Sequence, residues 1–207
     1  MSTTVLLVHG GLWDPMDAQK FWDTPGITAG LTAAGLTVLA PDRARLPNDW
    51  GVEVDALGEL LAKRTEPLTI IGASNGCTVA ARLTLVYPDL VDRLVLAWPA
   101  TAGDAGVDTL TRAGLLGRGC APEDADRLLA GDTLRGTTDA GLADLARIPV
   151  AVLPSLMENP MHQRRTVDAL LGLVQGSREL SGYPEPPRPD FPPYLDEFVR
   201  TIVEFVN

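Results

Sequence analysis

Residues 72–76 read GASNG and follow directly on an apolar run at 67–71 (PLTII). A strand that ends at Gly72 and a helix that begins at Gly76 would hold Ser74 on a tight, strained turn, with its hydroxyl exposed above the sheet. Glycine is needed on both sides because side chains there would collide where the strand and the helix approach each other. The stretch therefore predicts a strand–turn–helix unit that presents a reactive serine.

The residues after this turn have the pattern of a helix with one apolar face, formed by Val79, Ala80, Leu83 and Val86. The amino end of a helix carries unpaired backbone N–H groups and the positive end of the helix dipole. These groups would point toward whatever Ser74 attacks, so the turn also predicts stabilisation of a developing negative charge.

Short apolar runs of strand length alternate with longer segments of helical period along the whole chain. The runs lack the polar alternation of a half-exposed strand and indicate buried parallel strands. They lie at 4–8 (TVLLV), 36–40 (LTVLA), 67–71 (PLTII), 93–97 (RLVLA) and 149–153 (PVAVL), with a weaker run at 178–181 (RELS). Helical patterns are clearest at 163–174 and 194–206. The alternation predicts an α/β fold, with a mostly parallel sheet of about six strands and helices on both faces.

The length of 207 residues predicts one domain, residues 1–207, with a full hydrophobic core. The segment 100–146 departs from the regular alternation because it is rich in Gly, Ala, Asp and Thr, with short helical patterns at 122–130 and 139–146. We expect this segment to form a small helical lid over the ends of the strands.

Composition argues against several classes of partner. With 17 Lys and Arg against 27 Asp and Glu, the net charge of −10 would repel nucleic acid and anionic lipid. No signal peptide or membrane-spanning run is evident. The two cysteines, Cys77 and Cys120, have neither metal-ligand nor redox-motif spacing. We expect a cytoplasmic protein with a small-molecule substrate, no metal and no cofactor.

A second motif follows the first predicted strand, where residues 8–11 read VHGG. Together with GASNG after the third strand and the repeated strand–helix order, this chain resembles the α/β-hydrolase family. The resemblance covers nearly the whole chain, but the two antiparallel strands that usually open the fold are missing. It implies that the oxyanion hole consists of the backbone N–H of Asn75 with that of Gly11 or Leu12, and that His9 shapes the loop.

The family order of catalytic residues is serine, acid, histidine. By the resemblance, the acid is expected after the strand at 149–153, where residues 153–163 read LPSLMENPMHQ and contain Glu158. The histidine is expected in the loop at 181–191, but that loop reads SGYPEPPRPDF and has none. The chain contains only two histidines, His9 and His162, so the expected base is absent from its usual loop.

Three interpretations remain open at this point. In the first, His162 takes the role of base, oriented by Glu158 or by Glu185 from the histidine-free loop. In the second, the pocket and the oxyanion donors, with a carboxylate or Tyr183, catalyse an elimination, isomerisation or cyclisation without a serine–histidine relay. In the third, the protein is degenerate and only binds a small molecule.

Two tryptophans, Trp13 and Trp98, directly follow predicted strand ends, where ligands bind in open α/β sheets. With Tyr183 they are the predicted substrate-binding residues, and Arg188 is a candidate partner for Glu158 or for a substrate carboxylate. The first interpretation gives the favoured function, a serine hydrolase that acts on an ester, thioester or lactone of a small apolar molecule.

Overall fold

A computed structural model describes residues 3–207 and contains a six-stranded, all-parallel sheet. The strands are β1 (Thr4–Val8), β2 (Thr37–Leu39), β3 (Leu68–Ala73), β4 (Val91–Ala97), β5 (Val150–Leu153) and β6 (Arg178–Glu179). Their order across the sheet is β2-β1-β3-β4-β5-β6. The predicted fold class is confirmed, although the weak sixth strand has only two residues.

Eight α-helices connect or follow the strands. They are α1 (Ile27–Ala33), α2 (Trp50–Leu61), α3 (Gly76–Val86), α4 (Ala105–Gly117), α5 (Pro122–Leu129), α6 (Asp139–Ala143), α7 (Arg164–Leu173) and α8 (Leu195–Val206). A π-helical turn lies at Gln19–Asp23, and 3₁₀ turns lie at Asp144–Arg147 and Pro192–Tyr194. The helical patterns at 163–174 and 194–206 thus correspond to α7 and α8 within one residue at each end.

Helices cover both faces of the sheet because successive strand residues point to opposite sides. Leu6 of β1 packs into a cluster with residues of α2, α3 and α7. Its neighbour Leu7 packs into a second cluster with residues of α1 and α8. Two apolar cores therefore sandwich the sheet, which explains why its strands are apolar runs without alternation.

The segment between β4 and β5 contains α4, α5 and α6, where the sequence predicts a lid of short helical pieces. With 13 residues, α4 is the longest helix in the described part of the chain. The carboxylate of Asp104 caps it by accepting hydrogen bonds from the N–H groups of Gly106 and Val107. Only Val107 and Leu115 of α4 are buried, so its apolar pattern is too sparse to predict a helix of this length.

No helix within residues 3–207 is both long enough and apolar enough to cross a membrane.

The first turn of α3 packs directly on the backbone at the end of β1. A methyl group added at Gly76 would lie 2.4 Å from the carbonyl oxygen of Val8 and 2.5 Å from that of His9. A methyl group at Gly72 would lie 2.6 Å from the Ala80 side chain. Both glycines are therefore required by close approach, as the sequence predicts for the strand–turn–helix unit.

We predict that Gly76→Ala lowers the free energy of unfolding by about 2 kcal/mol or more, because the methyl group has no space against rigid backbone. The control is Gly172→Ala, at another helical glycine, where an added methyl group meets nothing within 4 Å. That change should be neutral or stabilising by up to about 1 kcal/mol. Urea denaturation of both variants measures the difference, and equal effects would contradict the packing argument.

Candidate active site

Ser74 lies between the end of β3 and the start of α3, and its backbone is strained. Its φ is 53°, in the left-handed region that a non-glycine residue seldom adopts. The Ser74 N–H donates to the carbonyl of Ala97 at the end of β4, at 2.9 Å, which fixes the turn to the sheet. Strain held by surrounding structure is typical of functional positions.

His162 lies on the loop between β5 and α7, and its side chain reaches the serine. The distance from His162 Nε2 to Ser74 Oγ is 3.0 Å, within hydrogen-bond range. The His162 side chain is only 13% exposed. The structure therefore brings together the two residues that the first interpretation requires.

The carboxylate on the other side of the histidine ring belongs to Glu185, from the loop after β6. Its Oε1 lies 2.9 Å from His162 Nδ1. The ring N–H is not aimed along that line, so the contact falls short of a well-formed hydrogen bond. Catalytic hydrogen bonds are often poorly aligned without substrate and tighten in the complex. Glu185 is therefore the carboxylate that the structure places beside His162.

Other side chains hold Glu185 in place. Its Oε1 accepts hydrogen bonds from the Ser155 hydroxyl at 2.8 Å and from Asn159 Nδ2 at 3.2 Å. Arg188 Nε lies 3.6 Å from Oε2, although this arginine also pairs with Asp190. The loop after β5 therefore supplies both the histidine and the donors that hold its partner carboxylate.

The surroundings of Glu185 favour its ionised form. Burial alone would raise the pKa of this carboxyl, but the close polar contact with His162 and the charge of that ring, together with the Ser155 hydroxyl, outweigh burial and lower the pKa to about 2. Glu185 is thus an anion throughout the neutral range, as stabilisation of a protonated His162 requires.

Glu158, the first sequence candidate for the acid, lies elsewhere. Its Oε1 accepts a hydrogen bond at 3.0 Å from the backbone N–H of Arg164, the first residue of α7. It is exposed and caps the free N–H of a helix end, so the expectation that it orients His162 is corrected. The geometry selects the alternative carboxylate, Glu185.

The loop after β1 passes beside the serine turn. A methyl group at Gly10 would lie 3.0 Å from Ser74 Cβ, so this backbone directly adjoins the nucleophile turn. Gly11 has a φ of 90°, which glycine adopts without strain. Within residues 3–207, the N–H groups of Gly11 and Asn75 donate to no protein acceptor, whereas the Leu12 N–H donates to Asp14 Oδ2 at 3.3 Å. Of the three N–H groups that the sequence predicts as oxyanion donors, those of Gly11 and Asn75 are therefore free of protein acceptors within the described residues.

His9 and a buried ion pair hold this loop from beneath. His9 Nε2 accepts a hydrogen bond from the Arg43 N–H at 3.0 Å, and Nδ1 lies 2.7 Å from the Gly10 carbonyl. Burial lowers the pKa of His9, which favours this neutral form. Arg43 Nη1 donates to the carbonyls of His9 and Gly11, both at 2.9 Å, while its guanidinium pairs with the fully buried Glu53. His9 thus lies in a loop-shaping position and is not a second base.

Sequence reasoning did not find Arg43 and Glu53. They lie in a loop and a helix that show no motif, and an isolated arginine is usually exposed. A second missed residue, Arg135, is 1% exposed and donates from Nη1 to Asn75 Oδ1 at 3.0 Å. Its Nη2 pairs with Asp108 of α4 at 3.1 Å. This arginine connects the segment between β4 and β5 to the residue that follows the nucleophile.

A cleft of about 230 Å³ lies between α4 and the loop after β1, which contains Gly11 and Leu12. Its lining includes Leu12, Asn75, Leu110, Thr111, Arg118 and Met161. Leu12 follows Gly11 in sequence, Asn75 follows Ser74, and Met161 precedes His162. The cleft is therefore a small space lined by apolar side chains and by polar ones, Asp14 among them, next to the residues that adjoin Ser74 and His162.

Two of the predicted substrate-binding residues belong to the core. Trp98 is fully buried, donates from Nε1 to the Tyr183 carbonyl at 2.7 Å and stacks on Phe198. Tyr183 is 1% exposed, and its hydroxyl pairs with Thr201 Oγ1 at 2.7 Å. The expectation that they contact substrate is corrected, because aromatic side chains at a strand end can pack inward under a covering helix.

Trp13 is half-buried and lines a separate cavity of about 270 Å³ between the loops at 9–16 and 43–47. Its Nε1 donates to the Pro47 carbonyl at 2.7 Å, so it ties these two loops together. Within the described residues, no group of three or more His, Cys, Asp or Glu side chains is placed to hold a metal ion.

Comparison with solved structures places this architecture among known folds. NosK from Streptomyces actuosus aligns over 97% of this chain and 96% of its own, with 22% identity and a TM-score of 0.67. MGS-MChE2, an alpha/beta hydrolase enzyme from a metagenome of lagoon sediments at Mar Chica, Morocco, covers 99% of this chain and 90% of its own, with 16% identity and a TM-score of 0.67. The chain has the α/β-hydrolase fold.

A third structure, the meta-cleavage product hydrolase CumD from Pseudomonas fluorescens, aligns over 99% of this chain and 90% of its own, with 19% identity and a TM-score of 0.66. No protein-family model and no curated protein matches the sequence. The α/β-hydrolase fold thus rests on the structure, since sequence identity to these three structures is 22% or less.

We predict that Glu185 makes the stability of this α/β-hydrolase-fold protein depend on acid pH. Its pKa is lowered from 4.5 to about 2 by folding, so its contribution is complete above pH 4.5 and is lost as the pH falls toward 2. The loss in unfolding free energy should be on the order of 2 kcal/mol.

The test compares urea denaturation of the wild type and Glu185→Gln across this pH range. The variant should lack this part of the pH dependence. If both proteins lose stability equally as the pH falls, the carboxylate is not held as an anion by its neighbours.

Proposed function

We propose that this protein is a serine hydrolase that acts on an ester, thioester or lactone of a small apolar molecule. The observation that carries the proposal is the 3.0 Å distance between His162 Nε2 and Ser74 Oγ. This contact supports His162 as the base that takes the serine proton. The loop at 181–191, where the family pattern has its base, contains no histidine.

The first half of the proposed reaction is acylation. Ser74 Oγ attacks the carbonyl carbon of the substrate while its proton passes to His162 Nε2. Glu185, 2.9 Å from Nδ1, stabilises the positive charge that forms on the ring. The carbonyl oxygen becomes an oxyanion that accepts hydrogen bonds from the Gly11 and Asn75 N–H groups. Collapse of the tetrahedral intermediate breaks the bond to the leaving group, which receives the proton from His162.

The second half is hydrolysis of the acyl-serine. His162 removes a proton from water as the water oxygen attacks the acyl carbon, and it then returns that proton to Ser74 Oγ as the carboxylic acid leaves. Each proton that His162 accepts is given back within the cycle. The proposed chemistry uses side chains and backbone N–H groups of this chain, and it requires no cofactor.

The proposed substrate class follows from the cleft. A volume of about 230 Å³ admits only a small molecule. The side chains of Leu12, Leu110 and Met161 offer apolar surface. The names of MGS-MChE2 and CumD describe hydrolases, which supports hydrolysis as the general reaction. Cys77 and Cys120 are free and buried thiols, which supports a cytoplasmic location.

We predict that a fluorophosphonate probe labels the wild type at Ser74 and that Ser74→Ala abolishes both the labelling and the hydrolysis of an activated aryl ester. His162→Ala should lower kcat by about a hundredfold or more, since it removes the general base. Intact-mass analysis and ester kinetics measure these effects.

A wild type that stays unlabelled, under conditions that label an ordinary serine esterase, would contradict the hydrolase proposal. It would favour a lyase, isomerase or cyclase, or a protein that only binds. His9→Gln is the control for histidine loss, because it disturbs the loop after β1 and leaves the contact between Ser74 and His162 in place. It should lower the rate less than His162→Ala does.

We further predict that the two candidate carboxylates differ sharply in effect. Glu185→Gln should lower kcat by at least about tenfold, because the imidazolium loses its charged partner. Glu158→Gln should leave kcat nearly unchanged, since Glu158 caps α7 and contacts Arg164. Steady-state kinetics of the two variants decides between them, and a large loss in Glu158→Gln alone would reverse the assignment.

A further inference from the structure

Thr101 lies on the loop between β4 and α4 and contacts both neighbours of His162. Its backbone N–H donates to the carbonyl of Met161 at 2.8 Å. Its Oγ1 accepts a hydrogen bond from the Gln163 N–H at 2.9 Å. Thr101 itself is fully buried. One buried residue is thus hydrogen-bonded to the backbone immediately before and immediately after His162.

Apart from Thr101, the segment that carries His162 is held by hydrogen bonds to the loop after β6 and by hydrogen bonds within itself. The His162 N–H donates to the Asn159 carbonyl at 3.0 Å, and the Met161 N–H donates to Asn159 Oδ1 at 3.0 Å. These bonds close a turn, but they do not fix the turn relative to Ser74. Leu156, Met157 and Met161 of the same segment are exposed, so little apolar packing holds it.

Thr101, in contrast, is tied to the sheet. It follows β4 by four residues, and Trp98 between them donates its N–H to the Leu153 carbonyl at the end of β5, at 2.7 Å. The Ala97 carbonyl, at the end of β4, accepts the hydrogen bond from the Ser74 N–H. The Ser74 turn and the chain that leads to Thr101 are therefore both hydrogen-bonded to the strand ends of the sheet. Thr101 in turn bonds to the backbone on both sides of His162.

We propose that Thr101 is a positioning residue for the reaction, which sets the distance between His162 Nε2 and Ser74 Oγ. The inference rests on the proposed function, since it assigns Thr101 a role through His162. Proton transfer needs its partners held within about 0.5 Å of the productive geometry. Because His162 lies on an exposed turn, its position depends on contacts with residues outside that turn. Thr101 provides two of them, through its N–H donor and its Oγ1 acceptor.

The test replaces Thr101 by residues that keep or remove the Oγ1 acceptor. Thr101→Val keeps the shape and removes the acceptor, while Thr101→Ser keeps it. Thr84→Val is the matched control, because Thr84 is also fully buried and its Oγ1 bonds only to its own helix, to the Ala80 carbonyl at 2.8 Å. Each folded variant is measured for kcat and KM on an aryl ester and for the rate of fluorophosphonate labelling.

We expect Thr101→Val to lower both kcat and the labelling rate by about tenfold to a hundredfold, with KM nearly unchanged, as misplaced catalytic groups do. Thr101→Ser should restore most of the rate, and Thr84→Val should keep it. Wild-type kcat and labelling in Thr101→Val would overturn the positioning role. A loss shared equally by Thr84→Val would overturn it as well, since the effect would then reflect stability.

A second variant covers the case in which Thr101→Val does not fold. Gln163→Pro removes the donor of the same hydrogen bond, and the φ of −78° at Gln163 suits a proline ring. It should reproduce the loss in kcat, and an unchanged kcat would overturn the inference. Failure of the wild type itself to react with the probe would instead overturn the proposed hydrolase function, so the two failures are distinguishable.

Discussion

The backbone of the first turn of α3 rests on the backbone at the end of β1, and the remaining site geometry depends on this contact. A methyl group at Gly76 would lie 2.4 Å from the Val8 carbonyl oxygen, so α3 can pack this closely on β1 only with glycine at this position. This packing brings the turn of Ser74 beside the loop of Gly10 and Gly11. Ser74, with its strained φ of 53°, then lies between β3 and α3, and its Oγ is 3.0 Å from His162 Nε2. The proposed oxyanion donors and the proposed nucleophile lie close together because two strands and one helix pack at backbone distance.

The acid and the base of the proposed relay occupy exchanged loops relative to the family order. His162 follows β5, where the family pattern has its acid, and Glu185 follows β6, where that pattern has its histidine. A relay needs only the right geometry, whatever the chain order. The exchange is possible because β5 and β6 are neighbours, and a parallel bridge between Ser155 and Tyr183 continues their pairing into both loops. The two side chains thus face each other from adjacent loops.

Apolar runs and paired glycines were enough to predict the sheet, helices α3, α7 and α8, and the position of Ser74, because buried strands and backbone contacts constrain residue type directly. The choice between Glu158 and Glu185 was not available from sequence, since it depends on how two loops fold together. The burial of Trp98 and Tyr183 depends on α8 covering the strand ends, which the position of a tryptophan after a strand does not reveal. Thr101, Arg43 and Arg135 act through single contacts with residues distant in sequence, and no local pattern marks such contacts.

The most direct test of the relay is the protonation state of His162 in the free protein. The chain has only two histidines, so a ¹⁵N-histidine NMR spectrum contains two imidazoles, which His9→Gln and His162→Gln variants assign. At a pH where the ring is neutral, the account predicts that His162 carries its proton on Nδ1, beside Glu185, and accepts the Ser74 hydroxyl proton at Nε2. A neutral His162 with its proton on Nε2, unaffected by Glu185→Gln, would contradict it.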